Sequence, residues 1–251
     1  DEASRTDTIP DIQVRNNDVT IAHEATVGKL SEEDLFYSNL HSMLSNINDF
    51  SIEKANLFEL YPFIDIAVKQ EGETTFKDIL EHYETGDFEN VSGLLINKNN
   101  QVFETAKRER IDDIDVIPSP YLTGVFDKLI SDNPDVEWNA VIESNRGCPY
   151  QCTFCDWGSL TYNKVKKFNL QRVIDELEWI GKNKVGFISI SDANFGIFPD
   201  RDNIIADKLI EIQQNYGFPN AYTISWAKNQ KKEIIEIVKR LVNNGARMGL
   251  S

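Results

Sequence analysis

Cysteine is missing from the whole chain except for one stretch of eight residues, and histidine is reduced to His23, His41 and His82. Three cysteines, an odd number set close together, exclude a disulfide framework. No run approaches the ~20 consecutive apolar residues of a membrane span, and the first residues lack the basic and apolar regions of a secretory leader. The expected address is therefore cytoplasmic, with no membrane partner. Lys and Arg are also sparse over the first 140 residues, where Asp and Glu are abundant, and the formal charge of the chain is -15. Such a surface lacks the clustered cations that neutralise a phosphate backbone, which argues against nucleic acid as a partner; Lys164, Lys166 and Lys167 are a local exception. The first residue is Asp1 rather than Met, so the chain is expected to be a piece of a longer protein.

An apolar content of 41% over 251 residues suffices for one large core or two ordinary ones. Residues 1–30 are polar and aperiodic, and loop or disorder is expected there. From Ser31, the spacing of Leu35, Leu40, Met43, Leu44 and Ile47 predicts an amphipathic helix capped by Ser31. A strand over 63–68, a turn at Glu71-Gly72-Glu73 and a helix over 74–83 follow. A hairpin is predicted from 91–96 and 101–103, turning at Lys98-Asn99-Asn100, where Asn tolerates left-handed backbone angles. Residues 111–120, with Pro118 and Pro120, continue neither a helix nor a central strand and read as a linker.

Beyond the linker, strands alternate with helices: strand 140–143, helix 170–180, strand 185–191, helix 203–216, strand 221–225, helix 231–242, strand 247–251. This order predicts a parallel sheet with right-handed crossovers, hence an α/β fold. Leu170, Val173, Ile174, Leu177 and Ile180 lie on one helical face, and Gly217 and Gly245 stand where helix C-caps belong. The last strand has no covering helix, so further strands are expected after it.

The chemistry concentrates in Asn145-Arg146-Gly147-Cys148-Pro149-Tyr150-Gln151-Cys152-Thr153-Phe154-Cys155. Thiols spaced C-x3-C-x2-C directly after a predicted strand can hold three corners of a cubane iron-sulfur cluster, leaving the fourth iron open to nitrogen and oxygen ligands. Zinc is the main competing reading, but a closed tetrahedral site needs a fourth ligand, and no histidine stands at finger spacing. Three separate inert thiols would be a strange outcome for cysteines found nowhere else.

This spacing resembles the signature of the radical S-adenosylmethionine (SAM) superfamily, in which the loop follows the first strand of a partial (βα)6 barrel. The resemblance implies a 4Fe-4S cluster held by Cys148, Cys152 and Cys155, with SAM chelated at the open iron and cleaved by one electron to a 5'-deoxyadenosyl radical. It puts Phe154, just before the third cysteine, beside the adenine. It implies a segment at the end of the second strand that accepts hydrogen bonds from the SAM ammonium, here Asp192 and Asn194 in Ser191-Asp192-Ala193-Asn194-Phe195-Gly196, although the glycine pair common in the superfamily is absent. At the end of the third strand Ser225 and Lys228 stand where a parallel barrel keeps its site, and Lys228 can reach the SAM carboxylate or a substrate. An electron donor such as a flavodoxin or ferredoxin and a small-molecule substrate are the implied partners.

Upstream, Tyr61-Pro62-Phe63-Ile64-Asp65, Glu71-Gly72-Glu73-Thr74-Thr75-Phe76 and Ile117-Pro118-Ser119-Pro120-Tyr121 resemble the approach to the barrel in radical SAM enzymes that carry a cobalamin-binding domain. On this reading residues 1–50 are an irregular and helical segment, 51–135 the end of a cobalamin-binding-like α+β domain with its linker, and 136–251 the first part of a radical SAM barrel. Glycine-rich turns and a full strand series are missing before residue 55, so the chain alone is expected to lack a complete cobalamin site. The implied activity is reductive SAM cleavage followed by methylation or rearrangement. A tRNA methylthiotransferase would need a second cluster and an RNA-binding appendage, neither of which the sequence shows. A non-catalytic iron-sulfur protein for structure or electron transfer is the alternative of a different class.

Overall fold

A computed structural model describes residues 58–59, 64–99, 101–150, 164–227, 232–244 and 246–248. The predicted helix of residues 31–47 lies outside them. Upstream, β1 (Ile66–Val68), β2 (Leu94–Lys98) and β3 (Gln101–Glu104) form an antiparallel sheet in that order, with α1 (Glu73–Glu81) between the first two. Lys98 pairs with Gln101, so the hairpin loop is two residues long, and Asn99 takes the left-handed φ of 54° that such a loop demands. Ala67 and Leu95 close one small core on this sheet, and Val68 and Leu94 another.

The linker then runs along the parallel sheet. Ile114, in a short 3-10 turn, is sunk into the main core, and the Asp115 carboxylate accepts a hydrogen bond from the N–H of Asn169 at 2.8 Å. The Tyr121 hydroxyl donates to the carbonyl of Val141 at 2.6 Å and accepts from its N–H at 3.2 Å, and the ring lies against Phe126 and Trp179. A six-residue helix, α2 (Asp127–Asp132), leads to the sheet.

Four parallel strands, β4 (Asn139–Ile142), β7 (Phe187–Phe195), β8 (Ala221–Trp226) and β9 (Ala246–Met248), stand in sequence order. Between β4 and β7 a two-residue ladder, β5 (Asn145–Arg146) with β6 (Lys166–Lys167), pairs antiparallel. The crossovers are α3 (Leu170–Lys182), α4 (Pro199–Tyr216) and α5 (Lys232–Asn243). Asn169 caps α3 by accepting from the N–H of Gln171, and Gly217 ends α4 at φ 75°, which glycine adopts without strain. Val173, Leu177 and Ile180 of α3 and Ile205, Leu209 and Ile212 of α4 are buried in the same core as Ile188, Ile190, Tyr222 and Ile224 of the sheet. Each such side chain contributes roughly 1.5–3 kcal/mol through removal from water. Gly181 permits the close approach of α3 and α4, since a Cβ there would stand 2.6 Å from the Tyr216 ring.

Alternation leaves the opposite face of the sheet to Ser189, Ser191, Thr223 and Ser225, all small and at least partly exposed. Among the described residues no helix is long and apolar enough to cross a membrane.

Candidate active site at the base of the cysteine loop

Ordinary parallel pairing would end β7 near Ile190. Instead its ladder with β8 shifts, Ile190 facing Ile224 and then Phe195 facing Trp226, so five residues of β7 advance while β8 advances two. Bulges of this kind re-aim side chains beside functional sites. Asp192 and Asn194 continue the inward parity of Ile188 and Ile190 into this irregular stretch, beside the chain that leaves β4, and both are buried.

Asp192 has no exposed surface and its carboxylate meets four donors. One oxygen accepts from the N–H groups of Ser144 and Asn145 at 2.6 and 3.1 Å; the other accepts from Asn145 Nδ2 at 2.6 Å and from the Ser144 hydroxyl. Burial outweighs these hydrogen bonds and pushes the carboxyl up to about 7. From the first turn of α4, Arg201 Nη2 donates to the carbonyl of Ser144 at 3.2 Å, and burial pulls its guanidinium below its ordinary range. Asp202 closes the turn between β7 and α4, accepting from the N–H groups of Gly196 and Phe198 at 2.8 and 3.0 Å. Burial raises its carboxyl as well. The turn at Ser144–Asn145 is thus gripped by the strand and the helix that follow it in the sequence.

Gly147 then takes φ 111°, a region closed to side chains with a Cβ, and the chain turns into Cys148. The Cys148 thiol is buried at 6% exposure, and Asn194 Nδ2 stands 3.0 Å from its Sγ. The Oδ1 of the same amide is buried without a hydrogen-bond partner among the described residues, as is the Trp226 indole N–H. Trp226 meets Phe195 edge-on at 5.8 Å. A soft sulfur facing an amide N–H suits a cluster thiolate.

Arg146 forks onto three carboxylates. Its guanidinium lies 2.7 Å from Glu143, 2.8 Å from Glu73 and 3.5 Å from Glu71. Burial opposes its charge, but the hydrogen bonds and attraction of Glu143 and Glu73 prevail and raise it above its ordinary value.

Of the residues singled out in the sequence, Cys148, Asp192 and Asn194 meet here. Ser225 lies on the exposed face of β8, away from this cluster of contacts. Cys152, Phe154, Cys155 and Lys228 lie outside the described residues. Ser144, Asn145, Arg201 and Arg146 were missed as members of the site, because each acts through a partner distant in the sequence.

A C-x3-C-x2-C loop leaving the first strand of a partial parallel (βα) barrel is the arrangement of the radical SAM enzymes, and the chain resembles their cobalamin-dependent group. It is 36% identical over 188 residues to the cobalamin-dependent radical SAM methyltransferase TokK of Streptomyces tokunonensis, covering 73% of this chain and 28% of TokK. It is 35% identical, with the same coverages, to 2-(S-pantetheinyl)-carbapenam-3-carboxylate methyltransferase of Streptantibioticus cattleyicolor. The chain thus spans little more than a quarter of the length of these relatives. In fold it is similar to the radical SAM methyltransferase TsrM of Kitasatospora setae, solved with cobalamin and a 4Fe-4S cluster, at TM-score 0.53 and 14% identity over 79% of this chain and 41% of TsrM. Residues 1–41 match a different family model, the SufBD core domain of the SUF system for FeS cluster assembly.

Proposed function

We propose that the chain carries the SAM-cleaving centre of a cobalamin-dependent radical SAM methyltransferase that acts on a small molecule. The observation that supports it best is the buried Cys148 thiol, set against Asn194 at the strand ends and followed in the sequence by Cys152 and Cys155. In this reading the three cysteines hold a 4Fe-4S cluster, which when bound supplies the electron for reductive cleavage of SAM. The Asn194 amide serves both sides of the site, its N–H directed at Cys148 and its free Oδ1 directed at the SAM ammonium, which needs acceptors. Asp192 shares the strand end, but its oxygens are engaged by Ser144 and Asn145, so Asn194 is the better-placed acceptor. Phe154 lies against the adenine. Lys228 contacts the SAM carboxylate or the substrate, and Ser225 lines the sheet face over which the substrate enters. Cobalamin, if bound in the intact protein, would supply the methyl-carrying chemistry, and a flavodoxin or ferredoxin would be the electron donor.

Anaerobic reconstitution with iron and sulfide, then dithionite and SAM, tests the core of this reading. Formation of 5'-deoxyadenosine by the wild-type chain is expected, together with loss of cluster absorbance in Cys152→Ala. A loaded cluster that yields no 5'-deoxyadenosine would sink the enzymatic reading for this chain. Cobalamin titration should show no tight stoichiometric complex with the chain alone.

A further inference from the structure

The Glu71-Gly72-Glu73 turn belongs to the antiparallel unit upstream, yet its carboxylates reach the root of the cysteine loop. Glu71 is 5% exposed at its side chain and Arg146 16%. Arg146 Nε and Nη2 stand 3.0 and 2.7 Å from the two oxygens of Glu143, while Nη2 also meets Glu73 Oε1 at 2.8 Å. The other oxygen of Glu71 accepts from the N–H of Ile111 at 2.8 Å. The carbonyl of Ile111 in turn accepts from Lys166 Nζ, and Arg110 Nη1 donates to the carbonyl of Lys164 at 3.1 Å. Arg146 and Lys166 pair across the ladder that closes the loop between them. Both stems of the cysteine loop are therefore fastened to Glu71, one directly and one through residues 110–111.

We infer that Arg146 is a positioning residue, through which the upstream unit fixes the stems of the cysteine loop and hence the seat of Cys148. An exposed ion pair would stabilise such a fastening little. A largely buried fork on three carboxylates differs, because removing one partner strands charge in a low dielectric and loosens the fastening locally. The guanidinium grips both oxygens of Glu143 through Nε and Nη2 while Nη2 also meets Glu73 and Nη1 faces Glu71, a planar fork that the single ammonium of Lys does not reproduce. Movement of the upstream unit is thereby passed to the residue two positions before the first cysteine.

This inference rests on the cluster reading for its consequence but not for its first test. Trypsin cleavage at Lys164, Lys166 and Lys167 in the metal-free chain measures opening of the loop stems. In Glu71→Gln/Glu73→Gln the initial cleavage rate is expected to rise at least about tenfold, with the far-UV circular dichroism melt retained. Glu73→Gln alone, at the more exposed of the two carboxylates, should give an intermediate rise and keeps the test open if the double variant fails to fold. Arg146→Lys should behave as the double variant does. The reconstituted double variant should bind iron in wild-type amount but show a shifted electron paramagnetic resonance spectrum of the reduced cluster. Unchanged cleavage, or unchanged spectra beside faster cleavage, overturns the positioning role. Failure of the wild-type chain to take up iron would instead overturn the cluster reading, leaving the cleavage result to stand.

Discussion

Replacing Asp192 by Asn and by Ala separates two tasks that its position allows. In the native chain one carboxylate oxygen takes two backbone N–H groups and the other takes the Ser144 hydroxyl and Asn145 Nδ2. In Asp192→Asn the first oxygen is kept. The new NH2 group faces a hydroxyl that can rotate to accept and an amide that can flip, since Asn145 Oδ1 has no partner to lose. Asp192→Ala leaves all four donors bare in a site with no water access, at roughly 1–3 kcal/mol for each group left unsatisfied. Even partial relaxation then costs about 4 kcal/mol, or roughly 10 °C in melting temperature for a chain of this size. The Asp192→Asn variant should melt within a few degrees of wild type near pH 8.

The pH dependence sharpens the contrast. With the folded carboxyl at about 7, the native state holds a proton that the unfolded chain has already lost above about pH 4. Stability therefore falls as pH rises from about 4 to about 7 and levels off above, by up to about 4 kcal/mol, a factor of ten in the folding equilibrium for each pH unit. Asp192→Asn removes that slope. Urea unfolding at several pH values across this window measures it. An Asp192→Asn chain as unstable as Asp192→Ala, or one that keeps the wild-type slope, would refute the assignment of these four hydrogen bonds.

Asn194→Ala should weaken SAM binding by about 10- to 150-fold, the equivalent of one hydrogen bond to a charged group, and lower the cluster midpoint potential through loss of the N–H facing Cys148. Equilibrium dialysis and anaerobic redox titration read the two effects separately. Glu178 is held at about 2, first by its hydrogen bond to Lys208 and then by that to Tyr216. Its stabilising contribution is present above the unfolded carboxyl value near 4.3 and is lost as pH falls toward about 2, so Glu178→Gln should flatten the acid limb of the stability profile, followed by circular dichroism.

The parallel half was legible because its signals are local and repeated. The helical face from Leu170 to Ile180 and the glycine after Tyr216 each decide a boundary by themselves. The upstream hairpin was legible for the same reason, with Asn99 at the left-handed position. Predicted strand 185–191 falls short of Phe195 because the inward positions that continue the alternation are polar, Asp192 and Asn194, and carry no apolar signal. Helix α4 begins at Pro199, four residues before its predicted start, since Pro fits a first turn but carries no periodic signal. The ladder of Asn145–Arg146 with Lys166–Lys167 is polar and two residues long, too brief for any period to register. Within the site, the cysteines declared themselves by spacing. Asp192 was visible as an acceptor, but its donors lie 47 and 48 residues upstream and only the fold introduces them. The match of residues 1–41 to the SufBD core has no counterpart in the reading of the sequence, which finds a polar segment to residue 30 and the start of a helix from Ser31.

The Tyr121 hydroxyl occupies both hydrogen-bonding groups of Val141 on the outer side of β4. A strand approaching from that side would find its central docking point taken by a phenol, with Phe126 and Trp179 wedged behind it. A strand approaching β4 would first have to displace that phenol, so among the described strands β4 is an edge closed by a side chain.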